Sequence, residues 1–332
     1  MKIAVIASHQ SIIKEPYLGG LESFTHKIAN KYLELGLEVV LFAPKGSKFN
    51  GKTSLKDNSN QDNYYYEIFR ELASEKFDII HNNSLSELPI VWAAINNRRM
   101  VTTLHTPLYS LLKSSIILYG DYPHLDFVAP SEHMANMWNF LTKKNIKTIY
   151  NGIDLRDWKC QRNHSDQIFW YGRVTPHKGT HIAIKVAKEA GLRLKFAGPI
   201  GDKDYFDDVI QPLCSKSNAD YLGHLNQKEI NNELSNSSVS LICPTWDEPF
   251  GLSTVESIAS GTPVVGFNQG AFPEIVTDGT GIICKRKSIK SLAQNIQNSI
   301  ILPLKNFTKE RSRFCIDKMV ANYIGLMEGR VV

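Results

Sequence analysis

The sequence predicts an α/β protein built from two doubly wound parallel-sheet domains, and three observations carry that prediction. The chain has 332 residues, room for about two domains at roughly 150 residues each. Short aliphatic and β-branched runs bounded by turn residues recur along it, as fully buried parallel strands require. Helical periodicity fills the intervals, and strands alternating with helices point to parallel sheets covered on both faces.

In the first half the strand-like runs are residues 2–7, 38–43, 79–81, 101–104, 126–129 and 147–150. The clearest helix is 21–35, with apolar residues every three or four positions and Gly36 as its stop. The pattern then restarts, with strands at 167–171, 193–197, 219–223, 239–243, 263–267 and 281–284. Helical stretches cover 181–190, 227–235, 253–259 and 289–299, and residues 151–154 read as a hinge. The domains are accordingly expected at 1–153 and 154–308, with an amphipathic helix in 309–332 packing back on the first. Residues 52–63, rich in Asn, Lys and Ser, read as a mobile surface loop.

Hydrophobic residues make up 42% and charged residues 21%, ordinary for a globular enzyme. A net charge of +5, spread along the chain, suits an anionic substrate or membrane surface and is too mild for nucleic acid. Five scattered cysteines with no CxxC pair argue against a disulfide framework or zinc site and for a reducing compartment. The first residues do not resemble a signal peptide, and no apolar run approaches the ~18 residues of a membrane helix. The chain is therefore expected in the cytoplasm. Residues 133–147 mix Met134, Met137, Trp138, Phe140 and Leu141 with Lys143, Lys144 and Lys147. A basic amphipathic helix of that kind can lie on the inner face of an anionic membrane, though such helices more often bury their apolar face in their own domain, and the apolar run 111–119 could extend the patch or line an acceptor site.

Open parallel sheets bind ligands beyond the carboxyl ends of their strands, and two such sheets facing each other would form a deep interdomain cleft. The most informative strand end is the segment 247–256, Asp-Glu-Pro-Phe-Gly-Leu-Ser-Thr-Val-Glu, which opens the helix near Ser253. A helix start offers unpaired N–H groups to phosphate or sugar oxygens, and Gly251 lets backbone approach a ligand. Glu248 before the helix and Glu256 within it can reach different hydroxyls of one extended ligand. A second strand end, 171–179, carries Arg173 and Lys178 beside Gly172 and Gly179. Two cations there can neutralise a diphosphate leaving group. Gly19 and Gly20 follow the first strand and open its helix, which again suits a phosphate. His105 closes the strand 101–104, while His9 and His81, also at strand ends, rank below it.

These segments closely resemble the retaining glycosyltransferases of family 4, which have the GT-B fold. The resemblance rests on two glutamates separated by seven residues, Glu248 and Glu256, followed by Gly261-Thr262-Pro263-Val264-Val265, and on the Arg173–Lys178 loop. It implies that the first domain binds the acceptor and the second the nucleotide-sugar. Glu248 would hold donor-sugar hydroxyls, the amides of Phe250, Gly251 and Leu252 would line sugar and diphosphate, and Glu256 would take the ribose. Arg173 and Lys178 would bind the diphosphate, with the Gly19-Gly20 loop near it. His105 would make a polar contact to the sugar. The nucleobase would pack after the strand end Leu222-Gly223-His224-Leu225, which leaves uracil and guanine both open, with a UDP-sugar favoured. Glu274 matches a familiar Pro-Glu-Ile-Val segment and reads mainly as structural.

The expected activity is a metal-independent, retaining transfer from a nucleotide-sugar to a glycan, lipid-linked or small-molecule acceptor, with no cofactor. Asp202-Lys203-Asp204 has the Asp-x-Asp form that binds metal in another glycosyltransferase fold, but sits in a polar run and reads as a solvated loop. Two alternatives share the residues: a nucleotide-sugar 2-epimerase of the same fold, and a non-catalytic nucleotide-sugar-binding partner protein.

Overall fold

The computed structural model describes residues 1–163, 165–285 and 287–330. Two compact units divide the chain: Met1–Gly152 together with the segment from Ile316 onward, and Ile153–Cys315.

Among the described residues, unit 1 holds a seven-stranded parallel sheet. Its strands are β1 (Lys2–Ile6), β2 (Glu38–Pro44), β3 (Lys52–Lys56), β4 (Ile79–Asn82), β5 (Met100–Thr103), β6 (Leu125–Ala129) and β7 (Lys147–Thr148). They lie in the order β3-β2-β1-β4-β5-β6-β7. Helices α1 (Gly20–Glu34), α2 (Gln61–Ser74), α3 (Leu88–Ile95), α4 (Ser110–Tyr119) and α5 (Glu132–Trp138) run between strands. Because side chains alternate along a strand, Ala4 and Ile6 of β1 face one core with Ile68, Ile90 and Trp138. Ile3 and Val5 face the other, where α1 contributes Phe24, Ile28 and Tyr32 at four-residue spacing. Gly36, at φ +78°, ends α1: its N–H bonds to Leu33 O at 2.9 Å and that of Leu37 to Tyr32 O at 3.1 Å.

Residues 52–63 are not a loop. Lys52–Lys56 pairs with β2 in parallel register, Val40 opposite Lys52. An edge strand tolerates this polar composition, and two side chains find partners on α2: Ser54 Oγ donates to Glu71 Oε2 at 2.8 Å, and Lys56 pairs with Glu71. Asn60 then caps α2, accepting from Asn63 N at 2.9 Å. A run read as low-complexity is thus an edge strand followed by a helix cap.

The expected basic helix at 133–147 also differs. It is short, capped by Ser131, and buries Met134, Ala135 and Trp138 in the unit's own core. Its apolar face is therefore occupied, and Phe140, 68% exposed just beyond it, is what remains outward. The exposed apolar face belongs instead to α4, through Leu111, Ile117 and Leu118.

Unit 2 holds a six-stranded parallel sheet among the described residues, in the order β10-β9-β8-β11-β12-β13. Its strands are β8 (Gln167–Tyr171), β9 (Arg193–Ala197), β10 (Ala219–Tyr221), β11 (Val239–Ile242), β12 (Val264–Phe267) and β13 (Gly281–Cys284). Helix α6 (Thr180–Ala190) and the helix Ile289–Ile300 pack together over Ile168, Trp170, Leu241 and Val265. The helical pattern expected from 309 is broken at Cys315, whose extended backbone separates the turn Arg311–Phe314 from the helix Ile316–Met327. Residues 309–315 thus lie in unit 2, and 331–332 lie outside the described residues. None of the five cysteines forms a disulfide. Among the described residues no helix is long and apolar enough to cross a membrane.

The helix Ile316–Met327 is fastened to unit 1 by a buried polar network. Tyr32 Oη lies 3.1 Å from His81 Nδ1, His81 Nε2 lies 3.0 Å from Thr103 Oγ1, and that oxygen lies 2.9 Å from Tyr323 Oη. Burial, with His105 nearby, pushes the His81 pKa down from 6.5 to about 3, and burial does the same to His105. Both imidazoles are neutral when folded, while the unfolded chain takes up their protons below pH 6.5. Stability is therefore complete above 6.5 and is lost as pH falls toward 3. Urea unfolding is expected to show a decline of about 1.4 kcal/mol per pH unit for each histidine below about pH 6. The slope should fall by about 1.4 kcal/mol per pH unit in His81→Gln, and an unchanged slope would contradict this account. In Tyr323→Phe, one buried hydrogen bond is lost at a cost of about 1–3 kcal/mol.

Candidate active site

The order of strands in unit 2 reverses between β8 and β11, and a doubly wound sheet opens its ligand crevice at that switch. The loop after β8 carries Arg173 and Lys178, and the loop after β11 carries Glu248. Their approach depends on Gly179, at φ +82°, where a Cβ would lie 2.0 Å from Cys243 O. Thr245 N donates to His177 O at 2.8 Å, stitching the two loops together. Lys178 Nζ then forms an ion pair with Glu248 Oε1, both side chains about three-quarters or more buried. Trp246 Nε1 donates to the same oxygen at 2.8 Å, and Lys178 Nζ sits 4.9 Å from the Trp246 ring centroid. The backbone of Glu248 is fixed from the β12 side: Ala271 N donates to Glu248 O at 3.2 Å, and a Cβ on Gly270 would lie 2.6 Å from Glu248 N.

Arg173 is exposed, and its stem lies over Gly201, where a Cβ would come within 2.6 Å of its Cγ. Burial first, then the charges of Lys178 and Arg173 against the opposing pull of Glu248, lower the His177 pKa. Arg173, Lys178, His177 and Glu248 thus share one electrostatic neighbourhood. Gly251 adopts φ +91° and caps the helix Leu252–Ala259; its carbonyl accepts from Thr254 N at 3.0 Å, while the first amides of a helix have no carbonyl one turn back to bond. Phe250 is buried beneath this turn, its ring 5.9 Å from that of Phe314. Glu256 accepts a hydrogen bond from Tyr171 Oη at 2.8 Å. Burial and that carboxylate keep the phenol protonated. Leu222-Gly223-His224-Leu225 follows β10; Gly223 is left-handed at φ +79°, and its carbonyl accepts from Gly198 N at 2.9 Å. A Cβ on Gly198 would lie 1.9 Å from Gly172 O, so the ends of β8, β9 and β10 are joined glycine to glycine.

In unit 1 the sheet order reverses between β1 and β4. Gly19, extended at φ −171°, precedes α1, and Gly20 is its first residue. Extended backbone demands no glycine, so at Gly19 the smallness of the residue matters rather than its conformation. His105 follows β5, its Nε2 lying 3.1 Å from Asn83 Oδ1 at the end of β4 and its ring 4.7 Å from Phe24. His81 belongs to the structural network, and His9 packs against Tyr64 and Tyr65 with its Nδ1 buried and unbonded. Glu22, given no role by the sequence, is buried: one carboxylate oxygen accepts from Ser11 Oγ and the other has no hydrogen bond. A cavity of about 570 Å³ in this unit is lined by Lys14, Tyr17, His26 and Lys48 among others, and by none of the expected site residues.

Asp202 caps the helix Lys203–Tyr205, accepting from Tyr205 N at 2.9 Å, and Lys203 pairs with Asp207. Among the described residues no group of three or more His, Cys, Asp or Glu is placed to hold a metal ion. Glu274 lies in the short helix Phe272–Ile275, its carbonyl accepting from Arg313 Nη2 at 3.0 Å.

Residues 158–314 match the family of group 1 glycosyl transferases, and residues 18–157 match glycosyltransferase family 4. The two matches run without a gap from Leu18 to Phe314. The chain belongs to the group 1 glycosyltransferases. It is 23% identical over 308 residues to an uncharacterized glycosyltransferase of Methanocaldococcus jannaschii, covering 85% of this chain and 84% of that one. It is 26% identical over 202 residues to an O-antigen chain mannosyltransferase of Salmonella typhimurium, covering 58% and 56% of the two chains. The crystal structure of Anabaena HepE in complex with UDP and glucose superimposes with a TM-score of 0.80 at 19% identity, covering 99% of each chain. That likeness speaks for the fold, which is GT-B.

Three polar partners in this glycosyltransferase escaped the sequence reading: Trp246, Tyr171 and Asn83. Each stands beside a motif residue or on a neighbouring strand end, and only the fold brings its donor or acceptor to Glu248, Glu256 or His105. The glycines are testable directly. Gly191, at φ +66°, has open space around it, whereas Gly179 combines positive φ with the Cys243 contact. Gly191→Ala is expected to cost about 1 kcal/mol and Gly179→Ala at least ~3 kcal/mol, read as a difference in Tm. Equal effects would show that the loop yields to the new methyl group.

Proposed function

We propose that this glycosyltransferase uses a nucleoside diphosphate sugar, UDP-linked by preference, and transfers the sugar with retention and without a metal ion. The observation that carries the reading is the meeting of Lys178, Arg173 and Glu248 at the switch point of the second sheet, with Glu256 on the adjoining helix. Arg173, Lys178 and the first-turn amides of the helix Leu252–Ala259 supply the positive charge that a developing diphosphate leaving group needs. Glu248 accepts hydroxyls of the donor sugar, aided by the backbone at Phe250, Gly251 and Leu252, and Glu256 those of the ribose. The Leu222–Leu225 turn takes the base, and the bound UDP and glucose of HepE favour uracil. His105, Gly19 and Gly20 keep their roles from family resemblance, and a neutral His105 suits a polar contact better than proton abstraction. The acceptor oxygen attacks the anomeric carbon from the face of the departing diphosphate. The new C–O bond forms as the old one breaks, and a β-phosphate oxygen takes the acceptor's proton. The acceptor is a glycan, a lipid-linked molecule or a small molecule. Five cysteines outside any disulfide fit a cytoplasmic setting.

Nucleotide release from UDP-, GDP- and ADP-sugars tests this. Slow hydrolysis of one donor, unchanged by EDTA, is expected, with Glu248→Ala inactive and Lys178→Ala slowed roughly 10²-fold. Loss of activity in EDTA contradicts the metal-independent reading, and a β-linked product from an α-linked donor contradicts retention. Binding without turnover of every donor and acceptor would favour the non-catalytic partner, and isomerisation of the donor without an acceptor the epimerase.

A second reading follows from the exposed Leu111, Ile117 and Leu118 of α4, with Phe140 on the adjacent turn and Lys113 and Lys143 exposed beside them. This exposed apolar patch with a basic flank fits an anionic membrane surface. Sedimentation with phosphatidylglycerol vesicles is expected, weakened by salt and lost in Leu118→Glu. Equal binding of that variant contradicts the assignment.

A further inference from the structure

Trp246 touches both charges of the Lys178–Glu248 pair with different parts of one side chain. Its indole N–H donates to Glu248 Oε1 at 2.8 Å, its ring centroid lies 4.9 Å from Lys178 Nζ, and it meets the His177 ring edge-on at 5.4 Å. Glu248 Oε1 therefore has two donors, an ammonium on a flexible stem and an indole on a rigid one. A diphosphate competes for the ammonium far better than for a neutral indole, since it offers more charge and several acceptor oxygens.

We propose that Trp246 is the positioning residue of the donor site, holding Glu248 in place once the diphosphate has drawn Lys178 away. This rests on the donor reading given above. Without the indole, departure of Lys178 would leave the Glu248 carboxylate, 17% exposed, free to rotate toward solvent and out of line with the sugar. With it, Oε1 stays anchored, and Oε2 faces outward as an acceptor for sugar hydroxyls. The consequence is selective: Trp246 matters to the sugar half of the donor and not to the nucleotide half.

Calorimetric titration of UDP and UDP-glucose, with GDP and GDP-mannose in parallel, into the wild type and Trp246→Phe tests this. The phenylalanine keeps an aromatic ring and removes the N–H. UDP-glucose affinity is expected to fall roughly tenfold while UDP affinity stays within about twofold. Lys178→Ala is expected to weaken both ligands together. An equal loss of UDP and UDP-glucose in Trp246→Phe, or no loss of either, overturns the inference and leaves the donor reading standing. Silence of the wild type toward every nucleotide and nucleotide-sugar overturns both. A measurement on the wild type alone guards against a variant that does not fold. Of the five tryptophan indole N–H groups, the one bonded to Glu248 is expected to stay protected from hydrogen exchange when UDP-glucose is added. Its exposure on donor binding overturns the inference.

Discussion

The loop bearing Lys178 meets the loop bearing Glu248 because residue 179 has no side chain, and most of the site's geometry descends from that contact. A Cβ at Gly179 would stand 2.0 Å from the carbonyl of Cys243, at the end of the neighbouring strand. The absence of that atom lets the chain leave β8, cross the end of β11 and enter α6 within a few residues. The same solution recurs nearby: Gly198 against Gly172, and Gly270 against Glu248. Glycines at strand ends pull successive loops together over the switch point, and the charged side chains are carried to one another by backbone packing. The ion pair is a result of that packing, held in a largely buried setting where charges interact more strongly than at an open surface.

Unit 1 solves a different problem. Its last helix comes from the far end of the sequence and must be fastened to a sheet formed by the first half. The fastening is polar and buried: Tyr323 reaches Thr103 of β5, which bonds to His81 of β4, which bonds to Tyr32 of α1. Apolar packing of Met319, Val320 and Leu326 around it supplies area without direction, while the hydrogen-bond chain fixes which turn of the helix sits over which strand. Neutrality of His81 is a condition of that arrangement, since an imidazolium enclosed there would carry an uncompensated charge.

Much of the fold was legible because its central strands are buried on both faces, and such strands announce themselves as unbroken aliphatic runs. β3 did not, because an edge strand needs only ladder bonds on one side, and Lys52, Ser54 and Lys56 satisfy those as well as valines would. The break at Cys315 was equally silent, since the apolar spacing continues across it while the backbone turns extended. At the site, residue type and spacing pointed to Arg173, Lys178, Glu248 and Glu256. They could not tell that Lys178 and Glu248 would be partners, because 70 residues separate them and only the strand order makes them neighbours. Trp246 was beyond reach for the same reason: an indole two residues before a glutamate has no meaning until its loop is folded. The basic stretch 133–147 left two readings open, since a helix's apolar stripe looks alike whether it meets a core or a membrane.

The central claim is that a nucleotide's diphosphate and Glu248 compete for Lys178. A crystal structure with bound UDP tests it most directly. The account predicts diphosphate oxygens within hydrogen-bond distance of Lys178 Nζ, with Glu248 released from the lysine and still bonded to Trp246. UDP bound elsewhere, or bound with the Lys178–Glu248 pair intact, would contradict it.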